Sequence, residues 1–205
     1  MPDNTMEALP RIGCDMLHFA KLLTDTAEGA TYDTSTHFRN VKNIGFNPNS
    51  SISTFFADDG PRVTYAQVGE EAVTIERADL LPSEYALVTG SAYNKGLVSV
   101  GNPTPPAGAV MWRSMKSNGK YRYCRLLKTT FGVPQSNYAT KEQSPNFQTQ
   151  TVEGKNALRV YDNIGFEFFD EDDPSKDTSI TSAVIAEQWF KDPNFDPTKA
   201  YTPGG

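Results

Sequence analysis

Residues 51–90, SISTFFADDGPRVTYAQVGEEAVTIERADLLPSEYALVTG, constrain the fold more than any other stretch. Ser51 to Ala57 has strand chemistry, and Phe55 and Phe56 suit a buried, pleated position. Asp58-Asp59-Gly60-Pro61 breaks the strand, because Gly allows positive φ and Pro lacks an amide donor. Aspartates in such a turn commonly bond nearby backbone amides. From Val73 the pattern alternates, with Val73 and Ile75 on one face and Thr74 and Glu76 on the other. Pro82 then opens a short helix that Gly90 closes. Strand, turn, strand and helix within forty residues describe a β-rich domain.

The rest of the chain follows the same grammar. Ile12 to Leu23 reads as an opening strand, and Met16-Leu17-His18-Phe19-Ala20 is apolar enough to be buried on both faces or to bend. Thr24 to Thr36 is polar and reads as a long loop. Val41 to Asn47 precedes the turn cluster Asn47-Pro48-Asn49-Ser50. Gly69-Glu70-Glu71 interrupts the strand pattern, as a bulge or a hairpin tip does. Asn118-Gly119 predicts a two-residue hairpin inside Ala109 to Phe131, setting Lys116 opposite Tyr121 and Trp112 opposite Arg125. Phe147 to Val160 reads as two short strands around Glu153-Gly154-Lys155-Asn156. Ile164, Phe166 and Phe168 predict a last strand. Ile180, Val184, Ile185 and Trp189 share a helical face that Asp192-Pro193 terminates. From Asn194 on, the chain reads as a disordered tail.

Composition narrows the function. At 205 residues the chain is long enough for one domain with a real core. Its net charge of -6 and the lack of a basic patch argue against a nucleic-acid grip. No apolar run reaches membrane-spanning length. The amino terminus has no basic region followed by an apolar one, so no secretory leader is expected. Cys14 and Cys124 read as buried free thiols, and a disulfide between them stays open because it turns on geometry. His18 and His37 are the only histidines, and no nucleophile elbow, P-loop or dinucleotide fingerprint accompanies them. Asp170, Asp172 and Asp173 fail calcium-loop spacing: from Asp170 the sixth and twelfth positions are Ser175 and Thr181, and from Asp173 they are Thr178 and Val184. No catalytic residue, metal ligand or cofactor is expected.

The segment FFADDG, followed by a strand ending IERADLLPSEYALVTG, resembles the major tail tube protein of long non-contractile-tailed (siphovirus-type) bacteriophages. The likeness runs from about Ile12 to Val160 and includes the opening strand, the central hairpin and the polar strand near Thr149-Gln150-Thr151. It implies a mainly β fold, a two-sheet β-sandwich or half-barrel with a short flanking α-helix, and subunits that form a hexameric ring. On this reading residues 1–11 are an N-terminal arm, residues 12–160 the tail tube β domain and residues 161–205 a C-terminal extension. Rings stack into a virion tail, assembled in the host cytoplasm, through which DNA slides without specific binding. The partners are other copies of the chain, the tape measure, the tail terminator and the distal tail protein. Glu70, Glu71, Glu76 and Asp79 are the lumen-facing candidates. Phe55, Phe56, Asp58, Asp59, Arg62 and Tyr65 are the subunit or ring interface candidates, and the arms (residues 1–11 and from about Tyr161 on) and the long loops at 24–40 and 61–72 are expected to carry ring-to-ring contacts. Two alternatives stay open: a tube protein of a secretion or injection machine, and a monomeric β-sandwich that binds carbohydrate or peptide through exposed Trp and Tyr.

Overall fold

The computed structural model describes residues 7–136, 138, 140 and 148–202. Its strands are β1 (Arg11–Thr26), β2 (Gly29–Tyr32), β3 (Thr36–His37), β4 (Val41–Asn47), β5 (Ser51–Ala57), β6 (Gly60–Gln67) and β7 (Glu71–Arg77), then β8 (Ala92–Asn94), β9 (Leu97–Ser99), β10 (Ala107–Lys116), β11 (Tyr121–Phe131), β12 (Gln150–Asn156) and β13 (Phe166–Asp170). Helix α1 (Pro82–Thr89) follows β7, and α2 (Ser182–Lys191) follows β13. The protein is mainly β. Among the described residues, nine strands share one antiparallel sheet in the order β2-β1-β10-β11-β12-β7-β4, with β13 on β11 and β3 on β1.

The sheet curls on itself, so one sheet supplies both layers of a sandwich-like body. Leu17, Phe19, Val110, Leu126, Val152 and Ile75 line its concave side. Cys14 of β1 and Ile44 and Phe46 of β4 pack against that same core, and Phe46 stacks on Phe166 with centroids 4.6 Å apart. Helix α1 closes the concave side through Val88, Tyr85 and Leu87. The convex side carries a second core, in which Ile185, Trp189 and Phe190 of α2 cover Ala20, Met111 and Tyr123. Strands β10 and β11 are therefore buried on both faces, which their nearly continuous apolar runs require.

The opening strand is both doubly buried and bent. Leu17, His18, Phe19 and Ala20 are all buried, Met16 has φ 55°, and the register slips between Asp15 and His18. A left-handed residue at a slip is how one extra residue is absorbed.

Several expectations are corrected. Residues 24–36 are no loop: β1 runs on to Thr26 and turns into β2, with Thr24 and Thr31 hydroxyls 2.7 Å apart across the pair. Residues 117–120 form a longer connection than Asn118-Gly119 alone, with Lys116 N–H bonding Lys120 O at 2.7 Å. The register thus sets Met115 opposite Tyr121 and Trp112 opposite Cys124. Arg125 lies instead 4.4 Å over the ring of Trp189. β12 is one strand, not two; Gly154 sits inside it because a Cβ there would come 2.7 Å from the Phe131 ring. Phe147 lies outside the described residues. The stretch from Asn194 is docked, not loose: Asn194 Nδ2 donates to Ala30 O at 2.8 Å, and Phe195 and Tyr201 pack on the convex core. The segment after Val160 contributes β13 and α2, so it is woven into the body.

Candidate assembly surface

Residues 41–77 form a single long hairpin in two halves. The base, β4 with β7, lies in the sheet, and Val73 and Ile75 face the core. The distal half, β5 with β6, forms a separate two-stranded sheet. The halves meet at a kink. There Asn49, at φ 46°, takes the Asn47 side-chain oxygen on its N–H at 2.9 Å and donates through Nδ2 to Glu70 O at 2.6 Å. Gly69 faces Asn49 so closely that a Cβ would come 2.5 Å from its carbonyl oxygen. That approach is what the glycine is for.

Beyond the kink, no described residue outside the hairpin covers either of its faces. Phe55 and Phe56, expected to be buried, are 65% and 66% exposed. The strand chemistry is right, but among the described residues no second layer reaches it. Direct pairs put Phe55 with Val63 and Ser53 with Tyr65 on one face, while Ile52 pairs with Ala66 and Thr54 with Thr64 on the other. Both faces therefore carry apolar side chains. At the tip Asp58 and Asp59 take φ 48° and 58°, the paired left-handed geometry of a type I′ turn. The Asp58 carboxylate pairs with Arg62 at 3.3 Å rather than with backbone amides, and Arg62 Nε donates to Ala57 O at 3.2 Å. The six interface candidates, Phe55, Phe56, Asp58, Asp59, Arg62 and Tyr65, thus lie on one projecting unit. Ile52, Val63 and Val68 belong with them and escaped the sequence reading. Their signal was apolar residues at both strand parities.

The four carboxylates proposed for a lumen do not share a face. Glu76 lies on the polar face of β7, beside Thr74 and opposite Val73 and Ile75. Its carboxylate accepts from Lys42 Nζ at 2.7 Å and from Thr149 Oγ1 at 2.6 Å, and these bonds, Lys42 first, hold it below the ordinary range. Glu70 is exposed at the kink and pairs with Lys155 at 3.0 Å. Glu71 has the parity of Val73, is half-buried and accepts from Asn156 Nδ2. Asp79 lies past the strand, where its carboxylate accepts the Leu80 N–H at 2.8 Å.

At the other end of β7, Arg77 and Glu84 form a buried ion pair at 2.8 Å, with side chains 3% and 6% exposed. Arg77 also donates through Nε and Nη2 to Arg39 O, and Glu84 accepts the Leu81 N–H at 3.0 Å. The pair fixes α1 on the sheet. Beside α1, the small β8–β9 hairpin leaves a cleft of about 400 Å³ lined by Leu80, Tyr85, Val98 and Val100. A larger open cleft of about 870 Å³ runs along β13, between Phe166, Phe168 and Tyr161 on one side and Asn194 and Asp196 on the other.

No arrangement of catalytic type emerges among the described residues. His18 and His37 stack on each other, 4.6 Å apart and 6° from parallel, and His18 stacks on Phe190 at 4.7 Å. Burial pushes both imidazoles below their ordinary pKa, and Arg39 and Arg77 lower His37 further. Cys14 and Cys124 are unbridged, and burial pushes the Cys124 thiol up to about 12. Among the described residues no cluster of three or more His, Cys, Asp or Glu is placed to hold a metal ion, and no helix is long and apolar enough to cross a membrane. In comparisons with known proteins, no family model and no curated protein matches this chain.

Proposed function

We propose that the chain is a structural subunit that assembles with itself into stacked rings, forming the tail tube of a long non-contractile phage tail. The observation that carries this reading is the projecting β5–β6 hairpin. An isolated two-stranded hairpin is marginal in water. One with Ile52, Phe55, Phe56, Val63 and Tyr65 exposed over two faces needs protein on both sides. The FFADDG segment on which the family resemblance rests is this hairpin's end. The polar face of β4, β7 and β12 supports a passive conduit. Glu76 and Glu153 stand there beside Lys42 and Lys155, so the charges nearly balance and give phosphate little to hold. The tape measure, tail terminator and distal tail protein are then its partners, the virion its location, and the chain is not an enzyme.

Size-exclusion chromatography followed by negative-stain electron microscopy tests the reading. Concentrated protein should give sixfold rings or tubes. A strict monomer at high concentration overturns it. The cleft along β13 favours the second reading, a monomeric binder of carbohydrate or peptide. That reading predicts a monomer with saturable ligand binding lost in Phe168→Ala.

A further inference from the structure

We infer that the cleft between α1 and the β8–β9 hairpin is the socket for the β5–β6 hairpin of a second copy, so that copies add head to tail. This deepens the assembly reading above and rests on it. Plug and socket lie at opposite ends of one strand. β7 begins at the hairpin root, at Glu71, and ends at Arg77, where the chain passes through Asp79 into α1. Seven residues at about 3.3 Å each separate the two ends by about 23 Å. The β5–β6 overhang is as long again, which reaches across the boundary to a neighbouring copy.

The two surfaces match in chemistry. The plug presents Ile52, Phe55, Phe56, Val63 and Tyr65. The socket offers Leu80, Tyr85, Val98 and the 50% exposed Val100 to the plug, with the polar Asp79, Ser136 and Gln150 around them. The exposed charges on the two surfaces are opposite in sign, and the Asp58–Arg62 pair within the plug would exchange partners on docking. The plug tip carries Asp58 and Asp59, and the β8–β9 turn carries exposed Lys95. Behind the tip the plug carries Arg62, and the socket mouth carries exposed Asp79. A plug at one pole and a socket at the other let copies join head to tail. Each addition leaves one plug and one socket free, the heterologous contact that builds open stacks.

Complementary blocked variants test the inference. Phe55→Asp/Phe56→Asp disables the plug, and Val100→Asp disables the socket. All three residues are largely exposed, so the fold should survive, and thermal unfolding verifies that. By electron microscopy each variant alone should give single rings and no stacks. Their mixture should give paired rings and nothing longer, since only one plug–socket combination remains. A socket variant that stacks like the native chain, or a mixture that never pairs, overturns the inference while the assembly reading stands. A native chain that stays monomeric ends both. Should either variant misfold, Lys95→Glu decides the matter: it should abolish stacks at low salt, and adding Asp58→Lys/Asp59→Lys to the same chain should restore them. Stacking unaffected by Lys95→Glu overturns the docking.

Discussion

His18 and His37 are the residues whose chemistry most exceeds what their types announce. They face each other across the β1–β3 pair, and His18 lies between His37 and Phe190 of α2. His18 Nδ1 donates to Met16 O at 2.8 Å, a bond that favours the protonated ring, but burial outweighs it. Both are held below 6.5, so between 6.5 and their folded values the unfolded chain binds more protons than the folded one. The stability they contribute is complete above 6.5 and is lost as pH falls through the folded values. The melting temperature should therefore drop between pH 7.5 and 5.5. His18→Phe/His37→Gln should flatten that drop, because Phe keeps the stack without the proton. The depressed carboxylates Asp25, Asp170 and Asp172 release their contribution at lower pH, outside this window. An equal drop in both proteins would remove the histidines as its cause. Nothing in the sequence links positions 18 and 37; only the return of β3 onto β1 brings them together.

At the scale of elements, local signals were read well where a single residue enforces the geometry. Pro82 and Gly90 bound α1 as expected, with Gly90 at φ 73°. The alternation of β7 and the α2 face of Ile185 and Trp189 also stand in the structure. Register failed where a turn had more than one length, at residues 117–120. The tie between α1 and β7 was invisible, because a buried Arg77 looks like any strand arginine in sequence. Removing one partner of such a pair strands the other charge. Glu84→Ala should cost about 3–5 kcal/mol in urea unfolding. Arg77→Met/Glu84→Leu should cost much less than the two single changes summed, since no charge is then left buried. Additive losses would mean that the two side chains act independently.

For the molecule as a whole, the mainly β class was legible and the division of labour within it was not. Alternation shows which residues leave water, provided the structure supplies a second layer. At Phe55 and Phe56 the strand pattern is intact, but among the described residues no second layer covers it, so alternation alone does not give burial there. Conversely, the sparse pattern after Asn194 hid a segment held by a few contacts such as Asn194 to Ala30. The hairpin gives this contrast a decisive test. Residues 51–67 contribute nothing to either buried core, so replacing them with Asn-Gly between the kink residues should leave the folding unit whole. The melting temperature should stay within roughly 2–4 °C, the shift that about 1 kcal/mol makes in a chain of this size. The same protein should still form single rings but no stacks, since it has lost every residue of the projecting apolar surface from Ser51 to Gln67. A melting temperature lowered far beyond that range would make the hairpin part of the folding unit. Unimpaired assembly would move the contact surface elsewhere on the molecule. A stable subunit that still closes into rings but no longer stacks would separate the residues that fold the subunit from those that join one ring to the next.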